Sequence, residues 1–188
     1  MLLRPAQCGD DLSVARVHVR SWQVAYRGLM PDDYLDALRP EDRAARYKFG
    51  NSDPLAPFTI VATNDHGAVL GFGTTAPAHV PELPDYGELC ALHVDPDHWG
   101  TGAGRALIEA CRTRLVADLG FRRALLWVLA GNRRAQRFYE KDGWTHDGHE
   151  RTVTVWGLEV PELRYVRPTS PPTTPSTAGS ATPPPPDR

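Results

Sequence analysis

One glycine-rich stretch constrains this chain more than any other: Trp99-Gly100-Thr101-Gly102-Ala103-Gly104. An extended apolar run, Glu88 to Val94, and a short turn, Asp95-Pro96-Asp97-His98, lead into it, and a long amphipathic helix starting near Gly104 follows. Glycines let the backbone adopt dihedrals that strain other residues and approach a ligand closely. The unpaired N–H groups of the helix's first turn then face that ligand, where the helix dipole favours negative charge. The arrangement predicts a bound phosphate. Two common forms fit the spacing poorly. A nucleotide P-loop needs Lys and Ser/Thr directly after its second glycine, whereas Arg105-Ala106 follow Gly104. A dinucleotide fingerprint needs a third glycine where Arg105 stands, in the first strand–helix unit, and this loop lies past the middle of the chain. A purely structural turn is the remaining alternative.

With 188 residues the chain is long enough for one domain with a substantial core. A formal net charge of −2 argues against general attraction to nucleic acid or an anionic membrane. No run is long enough for a membrane span, and Met1-Leu2-Leu3-Arg4-Pro5 lacks a secretory apolar core. The three cysteines, Cys8, Cys90 and Cys111, are scattered and form no C-x-x-C pair. Neither a disulfide framework nor a zinc knuckle is expected, and a reduced, cytoplasmic setting is.

Composition changes abruptly at Arg167. Residues 168–188 are nearly all Pro, Ser, Thr, Ala and Gly, which cannot offset ordering entropy, so a disordered tail is expected there and a folded domain over 1–167. That domain reads as mixed α/β. Strands are expected over Leu2–Pro5, Phe58–Thr63, Val69–Thr75, Glu88–Val94, Ala124–Leu129, Thr152–Leu158 and Glu162–Val166. Helices are expected over Asp10–Tyr26, Pro31–Leu38, Pro40–Phe49, from near Gly104 to Gly120, and Asn132–Asp142. Asn64-Asp65-His66-Gly67 reads as a hairpin turn.

The last of those helices is the second informative stretch. Asn132, Ala135 and Tyr139 fall at i, i+3 and i+7 and share one face. A small residue between two polar ones leaves a groove for a ligand; the alternative is an ordinary amphipathic helix with a packed tyrosine. Taken together, Val94-Asp95-Pro96, the loop Gly100 to Gly104 and Asn132-x-x-Ala135-x-x-Phe138-Tyr139-x-x-x-Gly143-Trp144 resemble the Gcn5-related N-acetyltransferases, the GNAT superfamily. The resemblance runs from about Leu3 to Arg167 and is tightest between Glu88 and Trp144; Trp22-x-x-Ala25-Tyr26-x-Gly28-x-x-Pro31 is also similar to many bacterial members. One departure is Trp99, where the family's loop often begins with Gln or Arg.

The resemblance implies a mostly antiparallel central sheet of about seven strands with helices on both faces and a splayed strand pair. It implies acetyl-CoA as co-substrate and no metal. The backbone of Gly100, Thr101, Gly102, Ala103, Gly104 and Arg105 would hold the diphosphate. The main chain of Leu92, His93 and Val94 would pair with the pantetheine arm, and Asn132 and Ala135 would contact that arm from the other side. Tyr139 would protonate the leaving thiolate. Arg105, Arg133, Arg134 and Arg137 add positive charge near the phosphates or are solvated helix faces. For the base, strand alternation puts Glu88, Cys90, Leu92 and Val94 on one face. A carboxylate on an otherwise apolar face rises in pKa, which suits a base acting through water; a solvated strand-end Glu is the alternative. An acyl-cysteine at Cys90 is disfavoured, since no His–Asp relay is apparent. His93 is expected to point away from Glu88. His146-Asp147-x-His149-Glu150 reads as a polar loop rather than a metal scaffold.

On the acceptor side the resemblance places Trp22 and Tyr26, which either stack on an amine or belong to the core. The segment Pro77 to Pro84, with Glu82 and Asp85, forms another candidate wall. A small-molecule amine and a peptide or protein amine are not separated. Dimerisation is common in the family. Competing readings are a non-catalytic acyl-CoA sensor and a Rossmann nucleotide domain.

Overall fold

The computed structural model describes residues 1–155 and 157–168. Its seven-stranded sheet has the order β1-β2-β3-β4-β5-β7-β6. The strands are β1 (Leu2–Pro5), β2 (Phe58–Thr63), β3 (Val69–Pro77), β4 (Tyr86–Val94), β5 (Arg123–Leu129), β6 (Thr145–Val155) and β7 (Leu158–Pro168). The helices are α1 (Asp11–Ala25), α2 (Asp32–Ala37), α3 (Pro40–Ala44), α4 (Ala103–Ala117) and α5 (Arg133–Lys141). Every neighbouring pair is antiparallel except β4 with β5, which is parallel. The expected sheet and layering are therefore present. Of the expected tail, Pro168 ends β7 and residues 169–188 lie outside the described residues. No helix among the described residues is long and apolar enough to cross a membrane.

Two apolar layers hold the helices to the sheet. On one face, Ile108, Cys111 and Leu115 of α4 and Tyr139 of α5 pack with Leu89, Leu126 and Val128. These α4 residues recur at three- and four-residue spacing, so one stripe of the helix meets the sheet. On the other face, Val14 and Val17 of α1 pack with Val61 and Phe72, and Trp22 with Met30, Leu35, Leu129 and Val160. Because β5 serves both layers, it is nearly continuously apolar, with Ala124, Leu125, Leu126, Val128 and Leu129 all buried. The β2–β3 turn closes as expected: Asn64 Oδ1 accepts from His66 N at 3.0 Å and Ala68 N at 2.9 Å, and Gly67 takes φ +81°.

Three boundaries differ from the sequence expectation by more than three residues. The Pro40–Phe49 helix stops at Ala44. The closing strands are longer than expected, β6 beginning at Thr145 and β7 at Leu158. The segment His146-Asp147-x-His149-Glu150 is thus strand rather than polar loop, with a register shift between His146 and Glu150. Pairing with β7 sets this strand, and its exposed residues carry no apolar alternation to announce it.

Candidate active site

Strands β4 and β5 pair only at their starts, Tyr86 with Arg123, Gly87 with Ala124 and Glu88 with Leu125. Beyond that β4 stays with β3 and β5 with β7, so the strands splay. A cavity of about 530 Å³ opens there, lined by Cys90 to Val94 on one side and Trp127 to Leu129 on the other. That is the size of a small-molecule site. Glycine-loop residues Gly100, Gly102, Gly104 and Arg105, the α5 residues Ala135 and Tyr139 with Asn132 before them, and Trp22, Tyr26 and Met30 also line it. The past-Glu88 edge of β4 that faces β5 has no strand partner among the described residues, and this is where a ligand bearing amide groups fits as an added strand.

The glycine loop is built by backbone conformation. Gly100 has φ +79° and Gly102, the residue capping α4, has φ +95°. Among the described residues nothing lies within 4 Å of a Cβ built on either, so the requirement for glycine is dihedral strain, not crowding. Gly102 has no side chain to cap α4, so the first-turn N–H groups stay available to an anion. The turn before the loop is tied to α1: Arg20 donates to both oxygens of the buried Asp95 carboxylate at 3.0 and 2.8 Å and to Asp97 at 3.0 Å. Thr101 Oγ1 donates to the His98 carbonyl at 2.8 Å rather than facing a ligand. Trp99 Nε1 donates to the Val94 carbonyl at 2.8 Å.

Helix α5 begins at Arg133, with Asn132 as its cap: Asn132 Oδ1 accepts from Ala135 N at 3.1 Å. Its oxygen is therefore committed to the helix, leaving the amide N–H₂ for a ligand. Tyr139 is buried, its ring packing against Phe138 and Trp144 at centroid distances of 5.4 and 6.3 Å. The hydroxyl makes no hydrogen bond among the described residues, and burial raises its pKa well above the ordinary phenol range. It is a neutral donor facing the cavity.

Strand β4 corrects the expected face assignment. Cys90 has no partner on β3, since Thr74 pairs with Ala91 and Thr75 with Leu89. The bulge resets the alternation. Leu89 and Leu92 both pack towards α4, while Ala91 packs on the α1 side. Glu88 therefore faces α1, and Leu92 and Val94 face α4, where Val94 approaches Gly104. His93 is likewise not turned away from Glu88. Its ring stacks on His18 at 4.4 Å, its Nδ1 meets Ser21 Oγ at 3.0 Å, and burial holds it down at about 3, so it is neutral. The Cys90 thiol opens onto the cavity, yet surrounding protein and then Glu88 push it up to about 12, which leaves it a protonated, poor nucleophile.

Glu88 is half-buried, and its Oε2 accepts a long hydrogen bond from His79 N at 3.4 Å. Burial raises its pKa, opposed by that N–H and by Arg151. The carboxylate that lines the cavity is another one, Glu162 of β7, whose Oε2 accepts from Arg151 Nε at 2.8 Å. Arg151 in turn lies 3.8 Å over the Trp127 ring, and the buried Trp127 Nε1 has no partner among the described residues. Sequence reading missed Glu162, Arg151 and Trp127, which three strands bring together; the one available signal was an indole in an otherwise aliphatic buried strand. Trp22 is buried in a core cluster and also borders the cavity beside Tyr26. Among the described residues, no group of three or more His, Cys, Asp or Glu is placed to hold a metal; Asp147 is engaged by Arg164 at 2.8 Å.

Comparison with known proteins agrees with this architecture. Residues 19–144 match the Acetyltransferase (GNAT) family. The chain is 30% identical over 130 residues to YuaI of Bacillus subtilis, named an N-acetyltransferase, covering 69% of this chain and 72% of that one. It is 36% identical over 143 residues to a mycothiol acetyltransferase of Kocuria rhizophila, covering 76% of this chain but only 45% of that longer protein. The fold superposes on the PaiA N-acetyltransferase of Thermoplasma acidophilum, solved in complex with coenzyme A, with a TM-score of 0.60 at 17% identity, covering 87% of this chain and 98% of that one. With its splayed sheet, glycine loop and matched sequence, this chain belongs to the GNAT acetyltransferase family.

Proposed function

We propose that the protein transfers an acetyl group from acetyl-CoA to a primary amine by direct attack in a ternary complex. The observation that carries the reading is a single cavity whose wall includes the glycine loop, the unpaired edge of β4 and Tyr139. The co-substrate supplies a thioester carbonyl as electrophile. The residues from Gly100 to Arg105 present backbone N–H groups to its diphosphate, the main chain of Leu92, His93 and Val94 pairs with its amide arm, and Asn132 and Ala135 border the other side. Glu88 accepts the acceptor ammonium's proton through water, freeing the nitrogen lone pair. That pair bonds to the carbonyl carbon, the carbon–sulfur bond breaks, and Tyr139 protonates the departing thiolate. Trp22 and Tyr26 border the acceptor, and Glu162 adds negative charge that favours an arriving ammonium. Three free thiols fit a reducing cytoplasm.

The test is a library of small amines, amino acids and peptides incubated with acetyl-CoA and read out as free thiol. At least one amine is expected to release thiol at a rate that depends on enzyme. Tight acetyl-CoA binding with no turnover on any amine would favour a sensor module instead.

A further inference from the structure

Several arginines of the described residues face carboxylates, as Arg4, Arg20, Arg27, Arg151, Arg164 and Arg167 do. Arg134 does not. It makes no ion pair among the described residues; its guanidinium lies 3.2 Å over the Trp99 ring instead. It occupies the second position of α5, where the helix dipole disfavours a cation. It also lines the cavity together with Trp99, Arg105 and the loop glycines. A flat guanidinium stacked on an indole keeps its in-plane N–H donors unspent, in the fork that matches a phosphate. Trp99 stands where a polar side chain often opens this loop, and an indole ring provides no charge of its own. It does provide a platform, anchored by the bond from its Nε1 to the Val94 carbonyl.

We propose that Arg134, stacked on Trp99, is a phosphate-gripping side chain for the acyl-CoA, reaching over from α5 to supply charge at the end of the loop that Trp99 opens without one. The proposal rests on the acyl-CoA reading above. The shared chemistry is a phosphate ester, and the source is either the diphosphate or the 3′-phosphate of the nucleoside. Through Trp99 and the Val94 carbonyl, the same pair braces the strand end along which the pantetheine arm lies.

The experiment titrates the full chain with CoA, 3′-dephospho-CoA and pantetheine by calorimetry, with a thermal melt to check folding. R134Q is expected to bind CoA at least tenfold more weakly and pantetheine unchanged. If the grip is on the 3′-phosphate, wild type loses a similar factor on dephospho-CoA and R134Q loses nothing more there; if on the diphosphate, R134Q weakens both nucleotides alike. W99L is expected to weaken CoA by a similar factor, and the double variant to be little worse than either alone. Wild-type binding of CoA with R134Q unchanged overturns this proposal alone, and additive losses overturn the stacked pair. Failure of wild type to bind CoA overturns the functional reading as well.

Discussion

Removing the Tyr139 hydroxyl separates folding from chemistry. The ring is buried and packs against Phe138 and Trp144, while the hydroxyl makes no hydrogen bond among the described residues. Tyr139→Phe therefore deletes no hydrogen bond among the described residues and leaves no hydrogen-bond partner unsatisfied there, so stability is expected to change by less than about 0.5 kcal/mol. The catalytic effect is of another size. A general acid contributes roughly 10²–10⁴-fold, about 3–5 kcal/mol of barrier. Initial rates of thiol release at saturating amine, with acetyl-CoA titrated, measure it beside a thermal melt. We expect kcat to fall at least about 100-fold with the acetyl-CoA dissociation constant within about twofold. Unchanged turnover would remove Tyr139 from the mechanism, and equal losses of affinity and rate would make it a binding residue instead.

Glu88 is raised chiefly by burial, so between the ordinary glutamate range and its folded value the native state holds a proton that the unfolded chain releases. Its stabilising contribution is complete below the ordinary value and is lost as pH rises through the folded one; Glu88→Gln should flatten that part of a stability–pH curve. If Glu88 is the base, the same variant abolishes the rise of kcat/KM across the same interval, and a persisting rise assigns the base elsewhere. Glu162→Gln should raise the acceptor KM more than it lowers kcat, measured with the best amine from the library. A Cβ at Gly87 would meet Leu115 Cδ2 at 2.6 Å and Phe121 Cδ2 at 3.0 Å, so Gly87→Ala should cost about 1–3 kcal/mol in urea denaturation. Arg20→Ala removes both hydrogen bonds that Arg20 Nη1 donates to the Asp95 carboxylate and should cost about 1–2 kcal/mol while weakening CoA binding.

The parts legible in the sequence are those specified locally. The turn at Asn64–Gly67, the glycines at positive φ and the Asn132–Ala135–Tyr139 face all follow from short-range spacing, and the structure places them as read. What escaped depends on distant pairing. The bulge at Cys90 exists because β3 skips it, and a period-two pattern cannot reveal one inserted residue. The polar first half of β6 is a strand only because β7 pairs with it. Glu162, Arg151 and Trp127 belong to three strands, and no motif joins them in the chain.

Amide hydrogen exchange with and without acetyl-CoA tests the central claim most directly. The account predicts that the ligand slows exchange at Leu92 to Val94 and at Gly100 to Arg105, with β1 and β2 unchanged. Binding that protects neither segment would contradict it.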